Sequence, residues 1–385
     1  MQHIHVCLVS DQTIPNILAI EEFKPDEVLM ISTEKMEIKG KSGHILECLA
    51  GRGLDYRKRH SLIVVKEDSL LDCNQKLESW VEGREDSEFV VNLTGGTKIM
   101  SIAAYEFFKD CGSPMIYIPI PRNEYITLFS KGPSPKPVAL SQRLLVLDYL
   151  RAYGLTIING RHLEGMAGDA EARRELAHWM VVHYEEIKNL LVWLGGALRS
   201  HRDDRQFVLE GSFKGATTEE RELMTRMGLS MNGSDLKKKM PKSEIQFLTG
   251  GWLEEYCYNE VNVFRDHGVD DVVVGIEIKN TKGPHNEFDV MFTKDNALYT
   301  VECKSLDQQD DKKTEALYKV GALQKNFGLR VRSFFVSTAS NILGKNGALK
   351  PSIAARADHL NTIVVAPNEV ACFRQVLSNE LKLNG

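Results

Sequence analysis

The sequence predicts an α/β chain in three parts: a parallel-sheet domain over residues 1–138, a helix-rich connector over 139–242 and a second α/β module over 243–385. Three observations carry this reading. Short β-rich runs alternate with helical patterns through the first third, the pattern of a parallel sheet with helices on both faces. The break Gly132-Pro133-Ser134-Pro135-Lys136-Pro137 interrupts that alternation and reads as a linker or domain edge. After a helix-rich middle, a series of strand-like runs follows Lys242, two of them separated by the turn-like Lys294-Asp295-Asn296. A chain of 385 residues is also too long for one ordinary core.

In the first part, Ile4–Val9 reads as a strand and Ile14–Phe23 as a helix. Strands follow at Glu27–Ser32, Leu62–Lys66, Phe89–Leu93 and Met115–Ile120, with a helix over Ile99–Phe108. The connector has helical periodicity over Ser141–Tyr153 and Ala170–Leu198. A hairpin around Thr156–Arg161 and a winged-helix-like build are its other expectations. The last part opens with a helix at Gly251–Val261. Strands Val272–Lys279, Glu287–Phe292 and Leu298–Cys303 come next, then a helix over Thr314–Phe327 and strands Arg332–Ser337 and Thr362–Ala366.

Composition narrows the function classes. Hydrophobic residues make up 43% and charged residues 26%, an ordinary soluble balance. No apolar run approaches the roughly 20 residues of a membrane helix. Met1-Gln2-His3-Ile4-His5 leads into no signal core, so a cytoplasmic protein without a membrane partner is expected. The seven cysteines form no C-x-x-C pair and read as reduced core residues. With a net charge of −5, contact with nucleic acid would rest on local basic patches. Arg52, Arg57, Lys58 and Arg59 form one candidate, and Lys237-Lys238-Lys239 another.

The residues that carry chemistry lie in the last part. Asn286-Glu287-Phe288-Asp289-Val290 belongs to one strand of the expected hairpin, and Tyr299-Thr300-Val301-Glu302-Cys303-Lys304 forms the other. Side chains alternate along a strand, so Glu302 and Lys304 share a face, as do Glu287 and Asp289. A short hairpin brings Asp289 and Glu302 within reach of one Mg²⁺ or Mn²⁺ ion, for which carboxylates are suitable hard ligands. Such an ion polarises a phosphate and lowers the pKa of bound water. A lysine beside it orients the water and offsets charge at the phosphorus. Upstream, Gly250-Gly251-Trp252-Leu253-Glu254-Glu255-Tyr256 starts a helix that places Glu254, or else Glu255, to provide a further ligand.

Near the N-terminus, Asn92-Leu93-Thr94-Gly95-Gly96-Thr97-Lys98 joins a strand to a helix. Its glycines allow close backbone approach, and the helix start offers N–H groups to anionic oxygens. The spacing matches neither a Walker A loop nor a dinucleotide fingerprint. Ser10-Asp11-Gln12-Thr13 forms a second polar loop at the same sheet edge.

The C-terminal constellation resembles the PD-(D/E)xK nuclease superfamily over about residues 245–385, although the nominal proline is absent before Asp289. The Asn-x-Thr-x-x-x-Lys run ending at Lys98 resembles the ligand motif of CRISPR-associated Rossmann-fold (CARF) sensor domains. Together they are similar to the CARF effector nucleases of type III CRISPR systems. The resemblance implies a Rossmann-like CARF domain, a restriction-endonuclease-like C-terminal domain and a homodimer. It also implies that a cyclic oligoadenylate, cyclic tetra-adenylate above all, acts as allosteric activator of DNA or RNA cleavage in antiviral defence. Ser10, Asp11, Gln12 and Thr13 fall on the family's first ligand loop, and Thr94, Gly95, Gly96, Thr97 and Lys98 on its second. Asp289, Glu302, Lys304 and Glu287 would be catalytic, with Asp289, Glu302 and Glu254 as metal ligands. The alternative is a non-catalytic, ligand-responsive nucleic-acid-binding regulator, against which the intact Asp289, Glu302 and Lys304 argue.

Overall fold

The computed structural model of the protein describes residues 1–128, 136–279, 285–305 and 331–383. The helix expected over Thr314–Phe327 lies outside these residues, as does most of the Pro-rich break.

The first sheet has strands β1 (His3–Leu8), β2 (Glu27–Thr33), β3 (His60–Val65), β4 (Glu88–Asn92), β5 (Met115–Tyr117), β6 (Glu124–Leu128) and β7 (Val138–Ala139). Their order is β3-β2-β1-β4-β5-β6-β7. From β3 to β5 all neighbours are parallel, and β6 and β7 return antiparallel. Central β1 is buried on both faces and therefore reads as one apolar run, whereas edge strand β3 alternates, with Ile63 and Val65 buried and Leu62 and Val64 exposed. The helix Ile14–Phe23 starts with a proline in its first turn and is buried over eight of its ten residues.

The connector is helical over Arg174–Val182 and Tyr184–Leu198, as its periodicity predicts, while the preceding helix Leu163–Ala172 starts well before the expected Ala170. Within Ser141–Tyr153 only Val146–Ala152 is helical. A second sheet, unforeseen in the sequence, comprises β9 (Gln206–Ser212), β10 (Ser230–Asn232) and β11 (Asp235–Pro241) in the order β10-β11-β9. It flanks the helix Thr218–Arg226, which a Thr217/Glu220 capping box starts.

The third sheet has β12 (Asp271–Lys279), β13 (His285–Lys294), β14 (Ala297–Lys304), β15 (Arg332–Ser337) and β16 (Thr362–Val365). Its far edge is β8 (Thr156–Ile157), so the order is β16-β15-β14-β13-β12-β8. The hairpin expected around Thr156–Arg161 is instead this edge strand, which pairs with Ile278 and Lys279 of β12. Beyond β8 the Asn159 side chain continues the pairing: its Nδ2 donates to Gly275 O (2.7 Å) and its Oδ1 accepts from Glu277 N–H (3.0 Å). Gly275 has a φ of +62°, and the ladder skips the Gly275–Asp289 step while pairing Val274 with Val290 and Ile276 with Phe288. An added Cβ there would stand 2.2 Å from the Met166 methyl. This kink changes which core the strand addresses: Phe288 packs with the N-terminal domain, and Val290 packs with the connector and the helix Trp252–Asn262. Among the described residues no helix is long and apolar enough to cross a membrane.

Candidate functional site

The catalytic candidates converge at the open end of the β13–β14 hairpin. The ladder runs from Lys294–Ala297 to Val290–Val301 and there gives way to a side chain. Asp289 is buried at the kink, and its Oδ2 accepts the Cys303 backbone N–H at 2.6 Å. Glu302, also buried, is the next residue towards the ladder, and Lys304 Nζ donates to its Oε1 at 2.9 Å. Glu287 is exposed on β13 and pairs in register with Glu277.

Glu254 reaches the same place from the helix Trp252–Asn262. The chain kinks just before it, with Gly250 at φ +137° and a Cβ on Gly251 only 3.0 Å from Gln246 O. Trp252 and Tyr256 anchor the helix in the core, Trp252 against the Tyr184 ring at 5.9 Å and Tyr256 by donating to Val370 O at 2.9 Å. Glu255 points elsewhere and pairs with Arg173 at 2.5 Å.

Electrostatics bind these side chains into one group. Burial pushes the Asp289 carboxyl well above its usual range, and repulsion from Glu302 and Glu254 adds to the rise. Burial likewise pushes Glu254 to about 7; the Arg202 and Lys304 cations oppose the rise, while Glu287 and Glu302 reinforce it. Burial disfavours the Lys304 ammonium, but Glu302 and Asp289 outweigh it and hold its pKa above the ordinary lysine value. The donor set therefore suits a hard divalent cation, which would relieve this repulsion. Among the described residues no three acidic, histidine or cysteine side chains already stand at ligand spacing.

The N-terminal candidates meet at the carboxyl ends of β1 and β4. These neighbours lie where the strand order reverses direction, the usual place for a ligand on such sheets. Gly95 lies against β1, where a Cβ would meet Leu8 O at 2.1 Å, and Gly96 has a φ of +75°. The hydroxyls of these two loops are already engaged within the chain. Thr94 Oγ1 donates to Asn92 Oδ1 (2.5 Å) and accepts from Ile118 N–H (2.8 Å). Thr97 Oγ1 donates to Glu67 O (2.9 Å) and accepts from Met100 N–H (3.2 Å), capping the helix Lys98–Asp110. Thr13 is fully buried and donates to Ala152 O (2.8 Å), so it braces the connector and cannot line the crevice. Asp11 is held by Lys39 at 2.7 Å, and Ser10 Oγ accepts from Gln12 N–H at 3.3 Å. Lys98 is exposed at the first turn of its helix.

The family comparisons now separate the two ends of the chain. Residues 4–149 match the model of the Card1 CARF domain, and residues 241–383 match the Card1-like endonuclease domain. The chain joins a CARF domain to an endonuclease domain. No curated protein matches it. Protein VC1899 from Vibrio cholerae has the same fold, with a TM-score of 0.80 at 18% identity, covering 99% of this chain and 98% of its own. Can2 from Sulfobacillus thermosulfidooxidans, solved in complex with cyclic tetra-adenylate, gives 0.76 at 21% identity, covering 97% and 98%. A type III CRISPR defence DNA nuclease activated by cyclic oligoadenylate gives 0.52 at 17% identity, covering 92% of this chain and 51% of its own.

Three cations beside these sites escape a reading of the sequence. In the CARF domain, Lys39 and Lys41 flank the crevice; Lys41 lies over the Tyr153 ring at 5.2 Å, and burial lowers its pKa. The K-G-K tripeptide around Gly40, at φ +69°, is a signal that could have found them. Beside the endonuclease centre, Arg202 is partly buried and its charge reaches Glu254 from the connector; nothing in its local sequence marks it. The basic patches expected for nucleic acid are largely neutralised. Arg52 is paired with Glu21 (2.6 Å) and with Asp148, and Arg57 with Asp55 (2.7 Å). Lys237 is paired with Glu210 (2.5 Å), and Lys238 with Glu244.

Proposed function

We propose that the chain is a divalent-metal-dependent endonuclease of DNA, RNA or both, acting as a homodimer in antiviral defence and switched on by cyclic tetra-adenylate or a related cyclic oligoadenylate. The observation that carries the chemistry is the junction of β13 and β14, where Asp289, Glu302 and the Glu302-bonded Lys304 stand together. Asp289 and Glu302, joined by Glu254, would hold Mg²⁺ or Mn²⁺. The ion supplies Lewis acidity at the phosphate and a more acidic water. The Cys303 N–H fixes the Asp289 carboxylate in orientation. The Lys304 ammonium, kept protonated by its acidic neighbours, orients the attacking water and offsets charge building on the phosphate. Glu287 adds negative charge at the rim and helps draw the cation in.

The sensor half of the proposal is supported by the cyclic tetra-adenylate in the Can2 relative. The crevice at the β1–β4 switch point is its binding surface, with Lys98 and the N–H groups of Gly95 and Gly96 towards the anionic oxygens. A two-fold ligand suits a crevice doubled by a two-fold dimer. Residues 1–138 would then act as sensor, 139–242 as a winged-helix-like connector and 243–385 as nuclease.

The test incubates the full chain with plasmid, single-stranded DNA and RNA, with Mn²⁺, with and without cyclic tetra-adenylate. Metal-dependent cleavage that rises with the ligand is the expected result. Absence of cleavage on every substrate, with the ligand bound, would leave the regulator reading in its place.

A further inference from the structure

One of the two turn residues at the tip of the β13–β14 hairpin, Asn296, is buried, whereas hairpin tips ordinarily face solvent. Asp295 and Asn296 both have positive φ, +51° and +59°, as a tight two-residue hairpin turn requires. Asn296 is fully buried, and its side chain makes three bonds outside its own domain. Its Nδ2 donates to Asn123 Oδ1 and to Gln142 O (3.0 Å), and its Oδ1 accepts from Leu144 N–H (2.8 Å). The orientation of the amide is fixed by chemistry, because a carbonyl can only accept and a backbone N–H can only donate.

Asn123 is itself buried, at φ +51°, in the turn between β5 and β6. That turn begins at Ile118, whose N–H is held by Thr94 on the crevice loop at 2.8 Å. One end of this path is therefore the candidate ligand loop. The other is the hairpin whose strands carry Asp289 and Glu302.

We propose that Asn296 is the positioning residue through which the CARF domain sets the β13–β14 hairpin, and with it the two carboxylates, when the activator binds. This inference rests on the function proposed above. It requires the Asn123–Asn296 contact to differ in energy between the ligand-free and ligand-bound states.

Asn296→Gly and Asn123→Gly remove each side chain while keeping the positive φ, so the turns survive. In the full chain, three readouts are taken: cyclic tetra-adenylate affinity by calorimetry, cleavage with Mn²⁺ with and without that ligand, and amide hydrogen exchange over residues 285–304. Each variant is expected to keep basal cleavage and still to bind the ligand, with an affinity shifted by the difference in contact energy between the two states. Stimulation by the ligand should fall by about 5–150-fold, the usual range of an allosteric coupling. The ligand-induced change in hairpin exchange should disappear, and the double variant should be no worse than either single one. Stimulation equal to wild type in both variants overturns the inference alone, and so does an equal loss of basal and stimulated cleavage. A wild-type chain that neither binds nor answers the ligand overturns the proposed function itself.

Discussion

The two candidate sites satisfy their polar groups in opposite ways. In the CARF crevice the hydroxyls and the acid are bonded within the chain: Thr94 to Asn92 and Ile118, Thr97 to Glu67 and Met100, Asp11 to Lys39. These polar side chains are thus satisfied within the chain, and Lys98 stands exposed beside them. In the endonuclease centre, Asp289, Glu302, Glu254 and Glu287 repel one another, and burial raises the pKa of two of them. One set of polar groups is paired inside the chain; the other gathers like charges that Lys304 and Arg202 only partly offset. Burial of like charges at a site where they destabilise the fold is a mark of function rather than architecture.

The sharpest break in this contrast is the loss of either carboxylate. Asp289→Ala or Glu302→Ala should reduce metal-dependent cleavage to background while cyclic tetra-adenylate still binds; full activity in both variants would remove the pair from catalysis. Lys304→Ala comes next. Turnover should drop by about 10²–10³-fold, the scale of losing one electrostatic contact to the transition state. Calorimetry should find metal binding retained, and its loss there but not in the carboxylate variants would exchange the assigned roles. On the sensor side, Lys98→Ala should weaken cyclic tetra-adenylate binding by about 1.5–3 kcal/mol, one charge-assisted hydrogen bond. Basal cleavage should be unchanged, and equal affinity in titration would exclude Lys98 from the site.

The smallest effect concerns stability. Glu254 is raised from 4.5 to about 7 by burial, so its carboxylate form is disfavoured in the fold. A raised carboxyl contributes stability that is complete below its unfolded pKa and is lost as pH rises through the folded one. The metal-free protein should therefore lose melting temperature between pH 4.5 and about 7. Glu254→Gln should flatten that loss and melt higher than wild type at pH 8, yet cleave more slowly. A lower melting temperature for the variant at pH 8 would contradict this picture of gathered like charges.

Much of this was legible because the pattern and the physics coincide. Central strands such as β1 are buried on both faces and read as apolar runs, and the helix Ile14–Phe23 has the bounds its periodicity predicts. Asp289, Glu302 and Lys304 could be joined because a hairpin obeys a two-residue period. The connector sheet was hidden because Lys237-Lys238-Lys239 looks like a solvated charge run, although Leu236 and Met240 flanking it turn inward. Strand β8 is two residues long, too short for any period to show. Hydroxyl roles were illegible for another reason: sequence cannot say whether Thr13 faces a ligand or the carbonyl of Ala152, which lies 139 residues away in the chain.

Asn159 has a consequence for how this molecule can be divided. Its side-chain amide, with β8 beside it, seals the β12 edge of the endonuclease sheet, although both belong to the connector. A fragment cut at Pro241 would keep Asp289, Glu302 and Lys304 but bare that edge, and an unsealed edge recruits strands from other copies. The unit that can be excised, shuffled or fused to another sensor therefore begins before Thr156 and carries the connector with it. Inheritance of the nuclease without its connector would be inheritance of a sheet prone to strand exchange.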